Sequence, residues 1–562
     1  MIIKMIPVFG NEMGTVGKIN VKVGDKIAAG DVVAQVETGK GNRSIKASSA
    51  GVVSKILCEE GAQIASNAEM FEINETAPTN EPSKPDNIDN IKAQKTSKEI
   101  TTDLLIIGAG PGGYVAAIYA AKNGLKVTLV EKSELGGTCL NVGCIPTKAL
   151  VKSSEIAHNV CSAADFGIQT DGNISVNMKQ VIDRKDKVKD RLVSGIDFLM
   201  KKNGINVISG QASFVDEGTI AVTGNENYII KPKDIIVATG SKISKIAIPG
   251  IDLPFVLNST TALSCTDLPK SITIIGGGVI GMEFAFIYKN FGVQVHVIEF
   301  MNRLLTMVDS DISNEIQEIA KEENIDIHTS SKVVKIQGSV DGKAVITYED
   351  KDGEHLLVSD KVLVAIGREP NLEGLSIENS GVLLNNKGRG IQVDTSMRTN
   401  IKHIYAIGDV TNIIQLAHVA SHQAIVAVDN ILNKHKEIDY SAVPNVIFTA
   451  PEIASVGIGE DQAKEKGMNI AVSKFPFAAN GKALTMNEPR GFIKLVKSNE
   501  TGKIIGGSII GADASSLISI LTLAIANGFT EKEITKTIFP HPTTSEVIYE
   551  AALGFGIGAL HQ

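Results

Sequence analysis

Two stretches of the chain repeat one pattern, and that repetition constrains the fold more than any other feature. DLLIIGAGPGGYVAAIYAAKNGLKVTLVEK spans 103–132 and SITIIGGGVIGMEFAFIYKNFGVQVHVIEF spans 271–300. Each reads as an apolar strand, G-x-G-x-x-G, a helical pattern, and a second strand ending near a Glu. Gly108 to Glu131 and Gly276 to Glu299 are both 23 positions apart. The glycines let backbone amides at a helix N-terminus approach a pyrophosphate, and the closing carboxylate accepts from ribose hydroxyls. Two dinucleotide sites on one α/β chain are therefore expected.

Residues 75–98, ETAPTNEPSKPDNIDNIKAQKTSK, hold three prolines and almost no large apolar side chains. Such a stretch cannot bury enough surface to offset its ordering entropy and reads as a mobile linker. Ahead of it lies a Val-, Ile- and Gly-rich module with strand-length runs. Gly24, Ile27, Gly30 and Val33 recur 37 positions on as Gly61, Ile64, Asn67 and Met70, which predicts two similar β-halves. Near their connection, VETGKGN (36–42) sets Lys40 between glycines.

Composition excludes several classes. Among 562 residues the net charge is −8, where a protein that neutralises phosphate backbones would show a basic excess, so no nucleic-acid partner is expected. No run reaches the roughly 18 apolar residues of a membrane span. MIIKMIPVFGNEMG lacks the apolar core of a secretory signal, so a cytoplasmic location is expected. Five cysteines, Cys58, Cys139, Cys144, Cys161 and Cys265, are too few and too odd in number for a disulfide scaffold. No metal-ligating set stands out.

Cys139 and Cys144 sit in GGTCLNVGCIPTKAL, shortly after Glu131. Glu131 should lie at the carboxyl edge of a sheet, where ligands of such folds bind, which brings both sulfurs near the first dinucleotide. The stretch around Pro146 looks like a helix start, which lowers the pKa of nearby thiols. Two structural cysteines are the plain alternative; a redox dithiol is the favoured reading.

From about Thr102 onward the chain resembles the pyridine nucleotide–disulfide oxidoreductases. The likeness rests on the two nucleotide motifs, Cys-x4-Cys, Ala238-Thr239-Gly240, Gly367-Arg368-Glu369-Pro370-Asn371, Ala406-Ile407-Gly408-Asp409, Phe448-Thr449-Ala450-Pro451-Glu452 and His541-Pro542-Thr543-Thr544-Ser545-Glu546. It implies an FAD site made by Gly108, Gly110, Pro111, Gly112, Gly113, Glu131, Lys132, Gly137, Thr138, Lys148, Ala212, Thr239, Gly240, Ser241, Asp409, Gln415, Leu416, Ala417 and His418. It implies an NAD site made by Gly276, Gly277, Gly278, Val279, Ile280, Gly281, Glu283, Glu299, Val333 and Gly367. Lys148 and Glu283 would pair beside the flavin, and Asp409 would bind its ribityl region. Cys139 and Cys144 would be the redox pair. His541, supplied by the second subunit of a homodimer, would be the acid–base, oriented by Glu546. Phe539 stands where the family often has another His. Glu299 suits the 2′-hydroxyl of NAD; Arg303, four residues on, is the feature that would suit NADP.

The front module resembles a biotinyl/lipoyl domain. Glu37-Thr38-Gly39-Lys40-Gly41 is similar to the lipoyl pattern Glu-Thr-Asp-Lys-Ala, whereas the biotin pattern places Met on both sides of the lysine. Covalent lipoate on Lys40 is the expectation, with an unmodified docking module as the alternative. The family resemblance leaves the substrate open among a dihydrolipoyl group, glutathione, trypanothione and a mercuric ion. With the front module it implies oxidation of dihydrolipoyl groups with reduction of NAD, a related flavin disulfide reductase with a docking module being the alternative. The setting would be a 2-oxoacid or acetoin dehydrogenase complex or a glycine cleavage system, with lipoyl-bearing acyltransferase or carrier proteins as partners. The expected order is an all-β lipoyl domain of flattened-barrel form (1–74), a linker (75–100), an FAD domain (101–247 and 375–440), an NAD domain (248–374) and an α+β dimerisation domain (441–562). Both nucleotide domains should be Rossmann-like.

Overall fold

The computed structural model describes residues 2–5, 13–27, 31–38, 41–47, 51–65, 68–74, 97–169, 175–386 and 388–562. The chain divides into two compact units, Met1–Gln94 and Lys95–Gln562. The expected linker falls almost wholly on 75–96, outside the described residues, as does Lys40.

Among its described residues the first unit has strands as its only regular elements, and it shows the 37-residue repeat in its hydrogen bonds. Two antiparallel four-stranded sheets are present. One joins Ile2–Met5, Phe71–Asn74, Gly51–Ile56 and Lys26–Ile27; the other joins Gly41–Lys46, Val32–Thr38, Met13–Ile19 and Gln63–Ala65. The sheets share a core of Val16, Val33, Val36, Val53, Met70 and Phe71, so the flattened barrel takes the form of two separate sheets rather than a closed one. Gly24 N donates to Val53 O and Gly61 N to Val16 O, at 2.8 and 2.7 Å. Asn20 N donates to Val33 O and Leu57 N to Met70 O, both at 2.9 Å. Each contact thus recurs 37 positions on, between corresponding residues of the two halves. Gly24 and Gly61 both have positive φ, +98° and +86°, which explains why glycine recurs there. Val32–Thr38 and Gly41–Lys46 form a hairpin whose last described pair is Thr38 with Gly41, bracketing Gly39 and Lys40.

In the second unit, the two motif copies build two sheets of the same order. Asn206–Ser209, Val127–Glu131, Lys98–Ile107, Tyr228–Val237 and Ile404–Ala406 run parallel in the first. Ile325–His328, Gln294–Ile298, Ser271–Ile275, Lys361–Val364 and Val256–Asn258 do so in the second. The central strands are apolar on both faces because both are covered. Leu104 and Ile106 pack in one core, Leu105 and Ile107 in the other. An antiparallel element, Lys332–Gly338, Ala344–Asp350 and Gly353–Ser359, covers one face of the second sheet.

The C-terminal part has a five-stranded antiparallel sheet, from Asn445–Ile447 to Ile470–Pro476, with helices Ala514–Ala526 and Glu546–Leu553 against it. It is α+β, as expected. Lys494, only 1% exposed, ties this part to the second nucleotide domain through Asp309 at 2.8 Å and Asp311 at 2.7 Å, with Glu460 at 3.1 Å. Removing one partner from a buried cluster of this kind costs about 3–5 kcal/mol, because it leaves the remaining charge uncompensated. Among the described residues, no helix is long and apolar enough to cross a membrane.

Candidate functional site

The three glycines of each motif do three different jobs. Gly108 and Gly276 have φ of +102° and +111°, and a Cβ there would meet Ala238 O at 2.4 Å or Ala365 O at 2.6 Å. Gly113 and Gly281 let the helix close on the strand, since a Cβ would lie 1.8 or 1.9 Å from the Gly108 or Gly276 carbonyl oxygen. Gly110 and Gly278 cap the helices Pro111–Lys122 and Val279–Asn290, and a Cβ there would meet no protein atom within 4 Å. That last pair faces open space at a helix N-terminus, the cradle a pyrophosphate fits.

The closing carboxylates are set alike. Glu131 accepts from Ala109 N at 2.7 Å and Ser133 N at 2.8 Å. Glu299 accepts from Gly277 N at 2.5 Å and Met301 N at 2.6 Å. Backbone amides thereby fix each carboxylate at the mouth of its cradle, leaving it further acceptor capacity for ribose hydroxyls.

One cavity of about 2340 Å³ is lined by both cradles. It brings together Gly108, Gly110, Pro111, Gly112, Glu131, Lys132, Gly137, Thr138, Lys148, Thr239, Gly240, Ser241, Asp409, Gln415, Leu416, Ala417 and His418 from the first set of expected residues. From the second it takes Gly276, Gly278, Val279, Ile280, Glu283, Glu299, Val333 and Gly367. Gly113, Gly277 and Gly281 lie behind this lining. Ala212 is not part of this lining: on strand Gln211–Phe214 its side chain turns inward, 2% exposed, and packs in a core, so only its backbone is left to face a ligand. The long cavity, its paired glycine cradles and their carboxylates fit FAD and a nicotinamide dinucleotide.

Between the cradles lie the sulfurs. Cys139 sits in the helix Gly137–Val142 and Cys144 opens the helix Cys144–Cys161; both line the cavity, and both are free thiols. Cys139 is pushed up by its hydrogen bond to Cys144 and by burial. Cys144 is pulled down to about 7, first by that same hydrogen bond; burial opposes this, and the Lys148 charge reinforces it. The hydrogen bond between them therefore favours ionisation of Cys144 over Cys139.

Lys148 Nζ contacts both Glu283 oxygens at 2.9 Å and lies 4.4 Å from the centroid of the Phe448 ring. Glu283 also accepts from Phe448 N at 3.0 Å, so three hydrogen bonds from two donor groups hold its buried carboxylate. The pairing of Lys148 with Glu283 expected from the motifs is present. Asp409 accepts from Ser241 Oγ at 2.6 Å, and Ser241 Oγ accepts from Arg368 Nε at 2.8 Å. Arg368 also donates to Thr138 Oγ1 at 3.2 Å and to Ser241 O at 2.8 Å. Burial lowers the Arg368 pKa, against the opposing charges of Asp409 and Cys144. Sequence reasoning alone assigns Arg368 no role; its signal is the motif Gly367-Arg368-Glu369-Pro370-Asn371, in which it is the one cation.

His541 lies elsewhere. Its Nδ1 is 3.0 Å from Glu546 Oε1, and Glu546 also accepts from Thr543 N at 2.9 Å. Burial pushes the Glu546 carboxyl up, but the Thr543 amide and His541 together hold it below its ordinary value. The imidazole is 78% exposed and is not among the residues lining the cavity. Within one chain, the His541–Glu546 pair and the dithiol do not share that cavity.

A dithiol between two dinucleotide cradles, with a carboxylate-oriented histidine on the surface, defines a class: disulfide oxidoreductases that use two dinucleotides. Residues 102–424 match the family described as pyridine nucleotide-disulphide oxidoreductase, and 443–552 match its dimerisation domain. The chain belongs to that family. Residues 5–73 match the biotin/lipoyl domain family, described as biotin-requiring enzyme. Relatives include a dihydrolipoyl dehydrogenase of Bacillus subtilis, 43% identical over 82% of this chain and 99% of that protein. Another, from Haloferax volcanii, is 41% identical over 82% and 98%. Among solved structures, LpdA from Mycobacterium tuberculosis superposes with a TM-score of 0.75 at 26% identity, covering 82% of this chain and 99% of that one. The HOCl-induced flavoprotein disulfide reductase RclA from Escherichia coli gives 0.72 at 31%, covering 80% and 99%.

Proposed function

We propose that this protein is a dihydrolipoyl dehydrogenase: it oxidises dihydrolipoyl groups to lipoyl, reduces NAD, and carries a lipoyl group of its own on Lys40. The observation that carries the activity is the placement of Cys139 and Cys144 together in one cavity bounded by both cradles, with Lys148 beside them. Relatives of 41–43% identity bearing that activity in their names cover the same part of the chain.

In the oxidised pair, a substrate thiolate attacks Cys139 Sγ, the Cys139–Cys144 bond breaks, and Cys144 leaves as a thiolate. Its low pKa makes it the better leaving group, and Lys148 supports its charge. The second substrate thiolate then attacks the substrate sulfur of the mixed disulfide, closing the dithiolane and releasing Cys139. His541 takes the proton of the attacking thiol, and Glu546 keeps its ring oriented. Gly108–Gly113, Glu131, Ser241 and Asp409 would hold FAD, which supplies a two-electron relay between the dithiol and the nicotinamide when bound. Gly276–Gly281 and Glu299 would hold NAD.

His541 acts across a homodimer. Support comes from its exposure, from the match to a dimerisation domain, and from apolar side chains open on that part of the chain: Leu523 is 62% exposed, Ile538 95% and Ile557 81%. The partners would be lipoyl-bearing acyltransferase or carrier proteins of a 2-oxoacid, acetoin or glycine-cleaving system.

Two outcomes are expected. Glu299→Ala removes the carboxylate that repels a 2′-phosphate, so the ratio of kcat/KM for NAD over NADP should fall, on the order of tenfold or more. A wild-type preference for NADP would refute the assignment of Glu299. Separately, protein made with lipoate and its attachment enzyme should gain the lipoyl mass on the peptide around Lys40. NADH should then expose two new thiols there, and Lys40→Arg should lose them while keeping activity toward free dihydrolipoamide. An unmodified Lys40 under those conditions would leave the module as a docking domain.

A further inference from the structure

The second nucleotide domain holds a group of side chains that the chemistry above does not use. His296 lies on strand Gln294–Ile298; Asp326 and His328 lie on the neighbouring strand Ile325–His328. The parallel register sets His296 beside Asp326 and Ile298 beside His328, so the three side chains share one sheet face. His296 Nδ1 and His328 Nε2 both approach the same oxygen, Asp326 Oδ2, at 2.8 Å. These three atoms all lie within 4.8 Å of one another. Atoms bound to one zinc ion at about 2.0–2.2 Å lie roughly 3.3 Å apart in a tetrahedron, so small side-chain shifts convert this group into a coordination shell.

We propose that His296, Asp326 and His328 form a binding site for a zinc-class divalent cation, separate from the dithiol. Two imidazoles and one carboxylate suit zinc or cobalt rather than magnesium or calcium, which prefer all-oxygen shells. The three protein ligands leave a fourth position for water. Solvent reaches it: Asp326 is half exposed and His328 partly so, while His296 is buried. An outer partner is also in place. Tyr348 Oη lies 3.1 Å from His328 Nδ1, so Nδ1–H can donate to it and leave Nε2 free for the metal. Tyr348 in turn stacks on His355 with ring centroids 5.1 Å apart, and His355 Nε2 is 2.8 Å from Asp350 Oδ1. The site lies directly behind the ribose-facing carboxylate: Glu299 N donates to the His328 carbonyl at 2.8 Å.

The test must silence the dithiol, which would itself bind zinc. The full-length, FAD-loaded Cys139→Ser/Cys144→Ser protein, without reductant, is dialysed against Zn²⁺ and titrated with Co²⁺. The expected result is one Zn²⁺ per chain and a Co²⁺ visible spectrum of nitrogen and oxygen ligation without thiolate charge-transfer bands. His328→Gln and Asp326→Asn on that background should each lose the ion, while Tyr348→Phe should weaken it roughly 10–100-fold. A zinc-induced rise in Tm that vanishes in a ligand variant of unchanged metal-free Tm separates lost binding from lost folding. Should one ligand variant fail to fold, the other and Tyr348→Phe decide. No stoichiometric ion in the parent, or an ion retained at unchanged affinity by the folded ligand variants, overturns the proposal.

Discussion

Replacing either Cys139 or Cys144 with Ser is expected to reduce dihydrolipoyl turnover by at least about 10⁴-fold, because residues that act as one unit fail together when either is lost. Serine can neither close the disulfide nor leave as a thiolate. FAD binding should persist, since its cradle rests on Gly108–Gly113 and on Glu131, which hydrogen-bonds to the backbone amides of Ala109 and Ser133. The two sulfurs also have distinct characters. The Cys144 thiol is held below its ordinary value chiefly because Cys139 donates to it. In Cys139→Ala that donor is gone, so the thiolate should form only at higher pH and its fraction at pH 7 should fall. The pH dependence of Cys144 alkylation in the reduced protein reads this directly. An unmoved midpoint would mean that Lys148, rather than Cys139, sets the acidity. Near-normal turnover in either serine variant would remove the redox pair from the mechanism.

His541→Gln should slow dihydrolipoyl oxidation on the order of 10²-fold or more, the usual scale for losing a positioned acid–base. Glutamine keeps a polar group near Glu546 but cannot accept and return a proton. Because His541 stands exposed and off the cavity of its own chain, the sharper result concerns mixing. Combined with Cys139→Ser under subunit exchange, the variant should recover activity, since some heterodimers then contain one intact pairing of histidine and dithiol. Demonstrated exchange without recovery would place both groups of a working site on one chain.

What the sequence made legible follows from how local each feature is. The glycine cradles and their carboxylates are encoded within 30 residues, and the strands, helices and closing Glu131 and Glu299 stand where the spacing put them. The 37-residue repeat of the first unit was equally readable, because a two-fold arrangement must reuse the same turn glycine and core positions; Gly24 and Gly61 do. Lys148 with Glu283, 135 residues apart, came through motif resemblance rather than pattern. Partners that no motif names were invisible. Arg368 stands in a motif, but its bond to Ser241, 127 positions away, is set by strands that neighbour one another only after folding, as is the meeting of His296 with Asp326 across 30. Ala212 shows a further limit: strand alternation turns its side chain into a core, so a motif can name the position without saying which of its atoms would face a ligand.

Steady-state kinetics of the FAD-loaded protein test the central claim most directly, with dihydrolipoamide and NAD compared against glutathione disulfide and NADPH. The dithiol geometry, the Glu299 carboxylate and the relatives together call for saturable NAD reduction by dihydrolipoamide, with kcat/KM several orders of magnitude above any glutathione disulfide reduction by NADPH. Efficient glutathione disulfide reduction with NADPH, and none of the dihydrolipoamide reaction, would contradict it.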